Sequence, residues 1–107
     1  MRRPITLTWT LAVGLLGAAL HASDASTEAL MRQTQCFACH AVNKKVVGPA
    51  YRDVARRYRG KKGAMAKLCQ KVKDGGAGAW GQVPMSPHPQ LSDAEIKAMV
   101  LWVLKRK

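Results

Sequence analysis

Cys36-Phe37-Ala38-Cys39-His40 places two thiols and an imidazole within five consecutive residues. Cys-x-x-Cys-His is the attachment signature of c-type haem. The spacing has a chemical reason. Two thiols three residues apart can add to the two vinyl groups on one edge of a haem. The next residue then lies under the ring, where its imidazole can ligate the iron. Covalent anchoring and one axial ligand thus come from a single stretch. The rival chemistry for Cys36 and Cys39 is thiol–disulfide exchange, since some thiol oxidoreductases also carry His after the second cysteine. Those enzymes need a βαβ-type scaffold, and this chain is poor in strand patterns.

A haem held by one histidine leaves its second axial position to be explained. A methionine there raises the reduction potential and favours plain electron transfer. An open position binds small ligands and would make a sensor or a peroxidase-like protein. Of the five methionines, Met1 belongs to the leader, and Met31, Met65 and Met99 fit helix faces as core filler. Met85 differs, because it stands in Trp80-Gly81-Gln82-Val83-Pro84-Met85-Ser86-Pro87, with a proline close on each side. Prolines restrict the backbone, which suits a ligand that should stay on its metal. His88 reads as a loop residue rather than an alternative ligand, though it is the obvious substitute should Met85 let go. The acids after the leader are Asp24, Glu28, Asp53, Asp74, Asp93 and Glu95. Most fit caps or exposed positions, so no substrate-binding catalytic set is visible.

The elements that must position these residues read as helices and loops. A first helix over about 25–35 runs into the haem motif, with Ala29 and Leu30 on its inner side. The loop 44–49 is punctuated by Gly48-Pro49, and a short helix follows over 50–58. The third helix, over about 64–74, carries Met65, Leu68, Cys69 and Val72 on one face and stops at Gly75-Gly76. The stretch 75–90 holds four glycines and three prolines and reads as a long functional loop without a strand. The last helix starts at Ser92, which forms a capping box with Glu95, and turns Ile96, Met99, Val100, Val103 and Leu104 inward.

The chain of 107 residues allows one domain. Arg2 and Arg3 followed by an apolar run from Leu11 to Leu20, with Ala22 before the cleavage point, have the layout of a secretory signal peptide over residues 1–22. The alternative is a retained anchor, but Ile5–Leu20 is 16 residues with three threonines, short of the roughly 20 apolar residues that span a bilayer. Cleavage leaves a domain over 23–107, periplasmic and without stable membrane insertion. Such a thin core gains from a staple, and a covalent haem would supply one. Without Arg2 and Arg3 the net charge of +12 becomes +10, which draws acidic surfaces. Export and the lack of an aromatic-studded basic strand argue against nucleic acid. Arg52, Arg56, Arg57, Arg59, Lys61 and Lys62 crowd one stretch, and Lys44 and Lys45 follow the haem motif. This reads as a basic rim for redox docking, with a merely solvated face as the alternative. Cys69, the odd third cysteine, reads as an inert buried thiol, with an intermolecular disulfide as the alternative.

The chain resembles the short bacterial class I cytochromes c, monohaem periplasmic carriers familiar from denitrifying bacteria. The matching pieces are the haem motif, Val47-Gly48-Pro49-Ala50-Tyr51, Lys73-Asp74-Gly75-Gly76, Trp80 to Met85, and the final helix with Trp102. The resemblance implies an all-α class I cytochrome c fold of about four helices around one haem c, covalent through Cys36 and Cys39. It implies His40 and Met85 as axial ligands. It also implies the Pro49 carbonyl as acceptor for the second ring N–H of His40, and the Trp80 indole as donor to a haem propionate. Lys71 stands where the family often has an arginine near that propionate. Packing is the alternative for Trp80 and a solvated charge for Lys71. Ser86 and His88 depart from the pattern, at places where proline and asparagine are common. The function implied is one-electron transfer by a monomeric carrier that is not an enzyme. Candidate donors are a cytochrome bc complex, and candidate acceptors are a nitrite reductase, a peroxidase or a terminal oxidase.

Overall fold

Ser23 caps α1 (Asp24–Gln33) by accepting the Ser26 N–H through its side chain, which satisfies one of the free donors at the start of the helix. The computed structural model describes residues 22–107 together with Met1, Pro4, Thr10, Leu11, Ala12 and Gly14. The signal peptide expected over 1–22 lies almost wholly outside the described residues. No helix among those described is long and apolar enough to cross a membrane.

The helix α1 buries Thr27 and Met31, while Ala29 is exposed, so its inner face is set differently from the expected Ala29 and Leu30. Leu30 is half-buried and only flanks the core. Gln35, with a left-handed φ of 63°, then turns the chain into α2 (Cys36–Cys39), a single turn that carries both thiols. Three longer helices follow: α3 (Tyr51–Tyr58), α4 (Ala64–Asp74) and α5 (Asp93–Leu104). The expected capping box is present at α5, where Ser92 and Glu95 exchange side chain-to-backbone hydrogen bonds.

Helix α5 is the spine, packing against α1, α3 and α4. Its buried Ile96, Met99, Val100 and Trp102 meet Met31 of α1 and Tyr51 of α3 in one core. Burying a side chain such as Met31 or Ile96 contributes about 1.5–3 kcal/mol. Val54, Tyr58 and Ala64 close a smaller cluster where α3 meets α4. The ends of the domain are also tied: Lys105 and Arg106 reach Asp24, and the Trp102 indole donates to Glu28.

The long loop contains structure that the sequence pattern did not predict. β1 (Gly76–Gly78) pairs antiparallel with β2 (Gly81–Met85), with Gly76 opposite Met85 and Gly78 opposite Gly81. Side chains give no alternation because this hairpin is exposed nearly throughout and half of its residues are glycine or alanine. The strands are defined by backbone pairing alone, which a hydrophobic period of two does not report.

Candidate functional site

His40 follows directly from α2, and the chain then loops back over its ring. The backbone N–H groups of Val47 and Gly48 both donate to the Cys39 carbonyl, at 3.1 and 2.7 Å, and His40 forms a bridge with Lys45. This loop brings the Pro49 carbonyl to 2.7 Å from Nδ1 of His40. A carbonyl can only accept, so Nδ1 carries the hydrogen and Nε2 is left with its lone pair. Burial lowers the pKa of His40, against the opposing effect of the Pro49 hydrogen bond, and so favours the neutral imidazole that a metal requires.

The other face of the imidazole is filled. Tyr51 stacks on it with centroids 4.8 Å apart and planes 18° apart. Tyr51 in turn meets Phe37 and Trp102 edge to face, at 5.8 and 5.6 Å. A Cβ at Gly48 would stand 2.4 Å from Cε1 of His40, so only glycine fits at this approach. The geometry at Gly48 and Tyr51 was not legible from the motif, although both residues lie in the Val47-Gly48-Pro49-Ala50-Tyr51 stretch already singled out.

Met85 ends β2, lines the same cavity as His40 and is half-buried. Its setting begins at the end of α4, where Gly75 takes a φ of 69° and donates its N–H to the Lys71 carbonyl. A Cβ at Gly75 would stand 2.3 Å from the Met85 carbonyl oxygen. Beyond Met85, the His88 N–H donates to the Lys73 carbonyl, and His88 Nδ1 lies 3.3 Å from the Val72 carbonyl. His88 therefore fastens the outgoing strand to α4.

Two further residues frame the rim. Trp80 sits in the hairpin turn and is 41% exposed. Lys71 reaches past Gly76, its Nζ 3.4 Å from where a Cβ there would be, and it has no ion-pair partner among the described residues.

Cys36, Cys39, His40, Pro49, Lys71, Trp80 and Met85 all line one cavity of about 460 Å³. That volume is in the range of about 300–1,000 Å³ usual for ligand sites. Apolar side chains such as Met31, Val54, Leu68 and Val100 close its interior. Two thiols, an imidazole whose second ring nitrogen keeps its lone pair, a thioether and apolar walls lining one cavity suit a flat, largely apolar group with a metal at its centre. A second cleft of about 590 Å³, between α4 and α5, holds none of these residues. It is lined by Cys69, Lys73, Asp93 and Lys97. Cys69 is half-buried, less enclosed than expected, and its thiol lies 3.7 Å from the Met65 sulfur. Burial raises its pKa, Lys97 opposes that and Asp93 adds to it, which keeps the thiol protonated and unreactive at neutral pH.

Residues 25–107 match the cytochrome c family model. The chain belongs to the cytochrome c family. Cytochrome c-551 of Pseudomonas aeruginosa is 43% identical over 106 residues, covering 98% of this chain and 99% of its own. The crystal structure of wild-type Nitrosomonas europaea cytochrome c552 superposes with a TM-score of 0.71 at 45% identity, over 75% of this chain and 99% of that one. The class 1 cytochrome MtoD of Sideroxydans lithotrophicus superposes with a TM-score of 0.68 at 33% identity, over 78% of this chain and 96% of that one. This cytochrome is thus a small haem electron carrier with the class I fold and one covalent c-type haem.

The basic cluster of this cytochrome is less uniform than its sequence suggests. Arg56 pairs with Asp53 at 3.4 Å, and Arg52 lies 3.9 Å from the same carboxylate. Arg59 donates to the Leu104 and Arg106 carbonyls and so caps the end of α5. Arg57 donates to the Ala79 carbonyl at 2.8 Å. Lys61 and Lys62 have no ion-pair partner among the described residues and stay exposed, as do Lys44 and Lys45.

Proposed function

We propose that this cytochrome is a periplasmic one-electron shuttle with His40 and Met85 as axial ligands and Cys36 and Cys39 as the covalent anchors. The observation that carries the reading is the convergence of all seven residues on one cavity, with the His40 Nδ1 hydrogen committed to Pro49. When bound, the haem supplies a one-electron iron couple. The protein's own groups do the rest. Pro49 orients His40 and increases its basicity. Tyr51 and Gly48 hold the ring in place from either side. Met85 offers a soft thioether, which raises the potential. Trp80 and Lys71 place a donor and a positive charge at the rim, where they meet the haem propionates. The apolar side chains of the interior would shield the haem from water, and in this reading the protein acts as a carrier rather than an enzyme.

Residues 1–22 form a cleaved signal peptide in this reading, which Arg2 and Arg3 and the apolar run from Leu11 to Leu20 support. The mature monomer meets partners through short encounters. Val46 and Val47 are exposed and follow Lys44 and Lys45 in the chain, and Val47 and the exposed Val83 line the cavity. A basic field around such a small apolar patch steers an acidic redox protein and can raise association rates about 10–1,000-fold at low salt. A quinol-oxidising cytochrome bc complex as donor fits this role. So does a nitrite reductase, a peroxidase or a terminal oxidase as acceptor.

The visible spectrum of the purified exported protein tests the reading. The expected result is sharp reduced c-type bands together with the weak long-wavelength band of ferric iron bound to methionine sulfur. Haem bands without the sulfur feature would place Met85 off the iron and turn the reading toward a sensor or peroxidase. Absence of haem, from a host able to mature such proteins, would overturn it.

A further inference from the structure

Trp80 occupies the turn of the hairpin, too exposed for packing alone to hold its indole at one angle. One residue outside the loop reaches it. The Arg57 guanidinium carbon lies 4.6 Å from the Trp80 ring centroid and 5.5 Å from that of Tyr58. Its Nη1 donates to the Ala79 carbonyl, the peptide group just before Trp80. Two ring faces and one carbonyl therefore fix the guanidinium plane. Arg57 stands on α3, which packs on α5 and carries Tyr51 against His40. Its neighbours in the basic run serve elsewhere, Arg56 with Asp53 and Arg59 at the end of α5. Arg57 has no carboxylate partner among the described residues; it does not itself line the cavity, but Tyr58, Ala79 and Trp80, which it touches, all do.

We infer that Arg57 is the positioning residue for Trp80: it clamps the hairpin turn to α3 so that the indole N–H is held at the rim of the haem cavity. The inference rests on the carrier reading above and extends it to a residue outside the haem motif and the methionine loop. A guanidinium over the indole face uses the π-cloud and leaves the edge N–H free to donate. Lysine lacks the planar fork that stacks and donates at once, so it keeps the charge without the clamp. Losing the clamp withdraws a donor from a negatively charged propionate. That favours the ferric state and lowers the reduction potential.

The test compares the holo-protein with Arg57→Lys, Arg57→Gln, Trp80→Phe and the double variant Arg57→Gln/Trp80→Phe. Midpoint potential and solvent exchange of the Trp80 indole hydrogen are both measured. Arg57 is exposed, and Arg57→Lys provides a second variant should Arg57→Gln fold poorly. In both Arg57 variants indole exchange is expected to quicken about tenfold. The ferric-to-ferrous equilibrium should shift about threefold toward ferric, which is about 28 mV at 59 mV per tenfold for one electron. In the Trp80→Phe background, Arg57→Gln should add almost nothing. Wild-type exchange and potential in Arg57→Lys would overturn the inference, because charge alone would then suffice. An undiminished effect of Arg57→Gln without Trp80 would overturn it too. A wild-type protein without haem would instead defeat the carrier reading itself.

Discussion

His40 is held by groups on every side: the Pro49 carbonyl on Nδ1, the Tyr51 ring stacked on its face, and Gly48 pressed so close that no Cβ fits. Behind it stands the core of α1, α3 and α5. Met85, which lines the same cavity, ends a five-residue strand that is exposed until Met85 itself. Its supports are backbone contacts: the pairing with Gly76, the close approach of Gly75, and the His88 bonds to α4. One wall is made of packed side chains and the other of a strap of main chain. Packed cores resist displacement, whereas segments with few buried contacts open first. In the proposed carrier, the histidine wall therefore holds the cofactor, and the methionine wall sets how the iron is closed.

The largest effect should come from breaking the anchored wall. Cys39→Ala should weaken or abolish stable haem attachment, read as loss of haem colour in the denatured, solvent-extracted protein. Met85→Ala, on the strap, should leave haem attached and open the iron, so that the reduced protein binds carbon monoxide. Unchanged ligand binding in that variant would refute Met85 as ligand. Two glycine variants sharpen the contrast further. Gly48→Ala drives a methyl into the His40 ring and should cost about 1–3 kcal/mol of stability. Gly75→Ala meets the Met85 carbonyl and also needs a left-handed φ, which costs about 1–2 kcal/mol. Thermal melts should show both losses, but only Gly75→Ala should weaken the methionine–iron band while the core stays intact. The smallest effect lies farthest from the strap. A hydrogen bond from Lys105 lowers the pKa of Asp24, desolvation opposes it, and the charges of Lys105 and Arg106 add to the lowering. A carboxylate with a lowered folded pKa stabilises above its unfolded pKa and loses that contribution as pH falls through the folded value. Asp24→Asn should then lower the melting temperature slightly at pH 7, less in high salt, and progressively less as pH falls through the lowered pKa of Asp24. The methionine band should not change.

How much of this was legible in the sequence follows from the range of each interaction. The haem motif, the capping box of Ser92 and Glu95, and the stop at Gly75 are written within a few residues and were read correctly as local structure. The long-range ties left no such mark. Arg57 meets Ala79 over 22 positions and Arg59 meets Leu104 over 45, so in the sequence both read as members of one basic docking rim. The face of α1 was misread because small and threonine side chains leave its period weak, and Thr27 was passed over for Ala29. The hairpin was missed because glycine and exposed side chains carry no alternation.

The neighbours of His40 also share one property of chain order. Gly48, Pro49 and Tyr51 follow it by eight, nine and eleven residues, whereas Met85 follows by 45. Closing a short loop costs little entropy, and contacts between near residues form fastest. In the proposed exported carrier, an unfolded chain can therefore complete the histidine wall as a local unit, with the methionine strap closing last. The order of assembly is set by sequence separation, and an early intermediate of this protein is expected to have a seated imidazole and an open opposite side.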